Sequence, residues 1–105
     1  MKYLVCAAYL GLLVSFNANA LDGESVYQQT CIACHGEDGK GVLPGVPDFT
    51  VEKSRLNKSD EVLMNSMRDG VQSKGSPMAM PAKGGNSSLN EGDLKNVLIY
   101  MRNKF

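Results

Sequence analysis

The sequence predicts an all-α chain of three main helices joined by two long loops. Three observations carry this. Apolar residues recur at three- and four-residue spacing in three separated stretches, around Val26, Leu63 and Leu98. Glycine and proline crowd the two stretches between them. No run alternates polar and apolar residues for long enough to make a strand.

The first helix is expected over Asp22 to Thr30. Asp22 can cap it, and Val26, Tyr27 and Thr30 give it a one-sided spacing. Gly23 lies four positions before Tyr27, on the same face, where the lack of a side chain permits another helix to approach closely.

Cys31-Ile32-Ala33-Cys34-His35 follows directly. Two cysteines three positions apart, with a histidine after the second, form the attachment signature of c-type haem. Each thiol can add to one porphyrin vinyl group, and the His35 imidazole can then reach the iron from the proximal side. A redox disulfide would want an alternating strand-helix context, and none is visible. A zinc site would need further ligands, yet His35 is the one histidine of the chain, and the one other cysteine, Cys6, lies in the leader. A structural disulfide this short would close a very small loop and stabilise little. The motif therefore points to one covalently attached haem c.

Gly36 to Gly45 reads as loop, and Pro44 and Pro47 stiffen its path before Phe49. The spacing of Gly36, Gly39 and Gly41 fits no strand-loop-helix phosphate cradle. A carbonyl near Pro47 is well suited to accept the outward N–H of His35. The second helix is expected over Ser59 to Asp69, with Ser59 or Asn57 as cap and Asp60 and Glu61 suiting the macrodipole. Leu63 and Met67 share its inner face, and Gly70 stops it.

Gln72 to Ser88 is polar and rich in glycine, yet it carries Met78, Ala79, Met80 and Pro81. Two methionines in such a loop are either partly buried filler or the source of a second axial ligand for the iron. The third helix runs from Asn90 to Lys104. Asn90 caps it, Asp93 falls at the third helical position, and Leu89 with Leu94 makes a hydrophobic staple. Leu94, Val97, Leu98 and Met101 keep one face.

Residues 1–20 read as an export signal. Met1-Lys2 is a short basic start, Leu4 to Phe16 is apolar, and Ala18-Asn19-Ala20 offers the small residues of a cleavage site before Leu21. The apolar run is 13 residues long, and a membrane span needs about 20. Residues 21–105 then form one domain, small enough to need a staple such as a covalent haem. Basic and acidic residues balance at 11 each, which argues against nucleic acid as a partner.

With these pieces in order, the mature chain resembles a small bacterial class I monohaem cytochrome c. The resemblance rests on Cys31-Ile32-Ala33-Cys34-His35-Gly36 preceded by Gly23 and Tyr27. It rests also on Pro47-Asp48-Phe49, on Met80-Pro81-Ala82-Lys83-Gly84-Gly85, and on a last helix bearing Tyr100. It implies the class I cytochrome c fold, three main helices and loops wrapped around one covalent haem. It implies that the first and last helices cross, with Gly23 and Tyr27 meeting Val97 and Tyr100. It implies His35 and Met80 as axial ligands and Pro47 as the backbone partner of His35. Met80 is favoured over Met78 because a proline follows it.

The expected function is a periplasmic one-electron carrier, a monomer and not an enzyme. It would exchange electrons with redox proteins in the periplasm or at the membrane. Two alternatives remain open at this point. One is a haem-based gas sensor or weak peroxidase with a labile methionine ligand. The other is a dedicated haem subunit of a periplasmic oxidoreductase.

Overall fold

Asp22 opens the first helix. Its carboxylate accepts hydrogen bonds from the Ser25 amide at 2.9 Å and the Ser25 hydroxyl at 2.8 Å. The computed structural model describes residues 20–105. The expected export signal, Cys6 included, therefore lies outside the described residues except for Ala20.

The helix runs further than its sequence suggests. Gly23–Val26 is α-helical, Tyr27–Cys31 is a π turn, and Ile32–His35 is α-helical again. These three pieces form one continuous rod, α1. The expected end at Thr30 is thus corrected, since nothing breaks the backbone until Gly36, which takes φ +82°. The loop that follows folds back onto the end of α1. Gly41 donates to the His35 carbonyl at 2.9 Å and Val42 to the Cys34 carbonyl at 2.8 Å, satisfying groups that a helix end leaves open.

A short 3₁₀ turn at Arg55–Asn57 comes before the second helix, α2, Asp60–Asp69. Ser59 caps α2 through its hydroxyl, and Gly70 ends it at φ +83°. Val71 and Met80 then form an isolated antiparallel bridge, donating to each other's carbonyls at 2.9 and 2.8 Å. A second 3₁₀ turn spans Ala82–Gly85. The last helix, α3, is Glu91–Lys104, with the expected capping box between Asn90 and Asp93.

Packing joins α1 to α3 and α2 to α3. At the first contact Gly23 lies against the backbone of Asn96, and a Cβ added there would sit 2.7 Å from Tyr100 Cβ. The Tyr27 and Tyr100 rings are 5.6 Å apart between centroids. Arg68–Glu91 and Arg102–Asp60 pair across α2 and α3 at the surface, where such pairs contribute about 0–1 kcal/mol each. The buried core is Val26, Tyr27, Phe49, Leu56, Leu63, Met67, Leu89, Leu94, Val97, Leu98 and Met101. It lies beside a cavity between α1, α2 and the two loops. No helix among the described residues is long and apolar enough to cross a membrane.

Candidate functional site

Cys31, Cys34, His35 and Met80 all line one cavity of about 260 Å³. The other walls are mostly apolar, with Val46, Pro47 and Phe49 from the first loop, Leu63 and Met67 from α2, and Leu98 and Met101 from α3. The rim carries Arg55, Lys58 and several serines, and no carboxylate.

The proximal side is built by α1. Its final turn puts Cys31, Cys34 and His35 on the cavity wall. Both cysteines are free thiols. Burial, with Cys34 close by, pushes the Cys31 thiol up to about 11, so it is protonated at neutral pH. His35 is 8% exposed. Its ring lies nearly parallel to that of Phe49, with centroids 4.7 Å apart. Burial lowers its pKa below the ordinary histidine value, favouring neutral imidazole, the form that binds iron. Tyr27 donates its hydroxyl to the Gly36 carbonyl and so fixes the backbone just after the histidine. The aromatic stack continues to Phe105, which sits 6.2 Å from Phe49 and 5.5 Å from Tyr27.

Pro47 lines the cavity as expected of a neighbour of His35, but the expected hydrogen bond is not made. His35 Nδ1 is buried with no partner among the described residues. The Phe49 stack, rather than a carbonyl near Pro47, holds the ring plane here.

The distal side is built by the second loop. Met80 is held at its backbone by the bridge to Val71. Gly70 faces it so closely that a Cβ there would lie 2.6 Å from the Met80 carbonyl oxygen. Beyond Met80 the chain touches α1, since a Cβ on Gly84 would come within 2.8 Å of Thr30 Cγ2. Asn86 also donates to the Thr30 hydroxyl at 3.3 Å. Met80 is half-buried and packs against the core, whereas Met78 is 44% exposed with no bridge of its own. Both line the cavity.

Sequence reasoning missed two contributors. In the sequence Phe49 reads as an aromatic after a turn, and nothing local signals its stack on His35. Phe105 was not singled out, and its signal was slight: an aromatic just beyond the last periodic residue of a helix.

The residues present fit a covalent haem. Two free thiols and a buried imidazole with an unpartnered nitrogen face one apolar cavity, with a thioether on the same wall system.

Comparison with known proteins agrees. Residues 18–101 match the family model described as "Cytochrome C oxidase, cbb3-type, subunit III". The chain is 36% identical to cytochrome c-555 of Chlorobaculum tepidum, over 96% of this chain and 95% of that protein. It is 31% identical to cytochrome c-555 of Chlorobaculum thiosulfatiphilum, over 79% of this chain and 93% of that one. Among solved structures it resembles the KustC0563 c-type cytochrome, with a TM-score of 0.60 and 27% identity, covering 79% of this chain and 96% of that one.

Proposed function

The chain belongs to this family of c-type cytochromes, as a small monohaem class I member that carries electrons and is not an enzyme; from that premise we propose that Cys31 and Cys34 hold its haem and that His35 and Met80 are the axial ligands. One observation carries the assignment: these four side chains converge on a single apolar cavity. When bound, the haem supplies a one-electron iron couple.

The chain's own residues set the conditions. The Cys31–Cys34 spacing at the end of α1 would set the two points at which a haem is attached. Burial favours the neutral form of His35, and Phe49 stacks on its ring. Methionine sulfur favours reduced iron and raises the potential relative to stronger donors. Leu63, Met67, Leu98 and Met101 give the cavity buried apolar walls, and apolar surroundings act in the same direction. With His35 and Met80 both holding the iron, an outside ligand would have to displace one of them to bind. Val62 and Met78 are exposed at 44% each where they line the cavity, which gives a redox partner an apolar rim to approach.

The protein is periplasmic and exported, and we place the cut before Leu21. Its partners are redox proteins in the periplasm or at the membrane. The family model's description favours one further reading, in which the domain works within an oxidase complex. Copurification from native membranes addresses that reading.

The test compares two methionines. Met80→Ala should remove the weak long-wavelength sulfur–iron band, lower the reduction potential and open a site for cyanide or carbon monoxide. Met78→Ala should leave all three nearly unchanged. An exchange of phenotypes would move the ligand to Met78. Unchanged spectra in both would remove methionine from the iron.

A further inference from the structure

Asp93 does two things at the start of α3. Its Oδ2 accepts from the Asn90 amide at 2.9 Å and closes the capping box. Its Oδ1 accepts from the amide of Leu21 at 2.7 Å. Asp93 is only 4% exposed. Among the described residues it has no ion-pair partner, the two ion pairs being Arg68–Glu91 and Arg102–Asp60. A carboxylate so deeply buried is ordinarily matched by a cation.

One turn along α3, Asn96 donates through Nδ2 to the carbonyl of the same Leu21 at 3.0 Å. Asp93 and Asn96 therefore grip the backbone of Leu21 on both sides. The grip ignores the side chain, and Leu21 as a residue is 45% exposed. Ala20 rests against Gly92, where a Cβ would lie 2.9 Å from Ala20 Cβ. The residue so held is the one before which the small-residue pattern Ala18-Asn19-Ala20 puts the cut.

We propose that Asp93 and Asn96 form a receiving site for the chain's own new terminus, in which the Leu21 α-ammonium made by cleavage pairs with the buried Asp93 carboxylate. The step is hydrolysis of the Ala20–Leu21 peptide bond by a peptidase that removes export leaders. Water is the co-reactant. The bond between the Ala20 carbonyl carbon and the Leu21 nitrogen breaks, the water oxygen joins the carbonyl carbon as a carboxylate, and the water's protons convert the nitrogen to ammonium. An α-amino group ordinarily titrates at about 7.7–8.0 and so is largely protonated at neutral pH. Before cleavage the Leu21 nitrogen offers Asp93 only a peptide dipole. Afterwards it offers a full charge at the same position, and Asn96 keeps the neighbouring carbonyl in place.

The experiment uses haem-loaded mature protein. Intact mass fixes the terminus, which should be Leu21. Guanidinium denaturation then compares this protein with one that keeps a single extra alanine ahead of Leu21, each with Asp93 and with Asp93→Asn. The extra alanine should lower the midpoint when Asp93 is present and leave it unchanged in D93N. Equal midpoints with Asp93 present, an equal drop in both backgrounds, or a native terminus other than Leu21 would each overturn the proposal. Should D93N not fold, protein acetylated only at the Leu21 amine takes its place. Loss of the charge should then lower the midpoint as much as the extra alanine does, and an unchanged midpoint would overturn the proposal.

Discussion

The cysteine motif stands on a helix wedged against another helix, whereas Met80 stands on a loop held by two backbone hydrogen bonds and a few contacts with Thr30. On the first side, Gly23 and Tyr27 meet Asn96 and Tyr100 in close packing, and the histidine at the other end of α1 is buried on Phe49. On the second side, the Val71–Met80 bridge contributes two hydrogen bonds, each worth about 0.5–1.5 kcal/mol net. The two walls of one site therefore differ in what it takes to open them. The proximal wall moves only if the helix crossing fails. The distal wall can open locally, at a cost well below that of global unfolding. The ligand proposed on this wall is placed by its backbone, and Pro81 helps to hold it there by restricting Met80 to extended conformations.

The largest effect should come from cutting the tie between protein and cofactor. Cys31→Ser with Cys34→Ser should abolish covalent haem. The remaining apoprotein should show little cooperative unfolding by circular dichroism, since burial and chain entropy nearly cancel in a domain this small. A melt as sharp as that of the haem-loaded protein would show that the helix crossing suffices alone.

Next in size is the crossing itself. Gly23→Ala should cost about 1–3 kcal/mol in denaturant unfolding, the usual range for forcing an extra carbon into a packed contact. The neighbour is helix backbone, which cannot swing aside as a flexible side chain would. The sulfur–iron band should persist, because the change is remote from Met80. If the band were lost first, the two walls would be coupled and the contrast between them false.

The smallest change in global stability, and the most local, belongs to Gly70→Ala. At φ +83° with the Met80 carbonyl adjacent, the new Cβ strains the turn and pushes on the bridge. Faster cyanide binding, measured by stopped-flow, beside a loss of about 1–2 kcal/mol in denaturant unfolding from the left-handed backbone, is the expected sign. A shift in midpoint with unchanged cyanide kinetics would place Gly70 in the core's support and not in the ligand's.

The proximal wall was more legible in the sequence than the distal one, for a physical reason. Cysteine spacing, a cap and a periodic apolar face are local patterns, and they lie in consecutive residues. The core residues Val26, Tyr27, Leu63, Met67, Leu94, Val97, Leu98 and Met101 could be read from periodicity, and all are buried. Leu56 could not, because it sits in a 3₁₀ turn too short to show a period. The Val71–Met80 bridge pairs one residue from each side of a loop, and a single pair leaves no alternation to see. The capping role of Asp93 was visible three residues after Asn90. Its contact with Leu21 was not, since it joins the two ends of the domain.

The π turn in α1 has a consequence of counting. Ile32 donates to the Tyr27 carbonyl, five residues back, so this turn takes in one residue more than an α-helical turn would. Each α-helical residue advances the azimuth by about 100°. The part of α1 before the turn is in phase with α3, and the part after it is in phase with the cavity. The extra residue shifts the phase between these two bearings relative to a uniform helix. Removing Gln28 or Gln29, both exposed, would delete no contact to the cofactor, yet it would rotate Cys31, Cys34 and His35 away from the wall or slide Gly23 off its seat. The number of residues between Gly23 and Cys31 belongs to the site as much as any side chain within it.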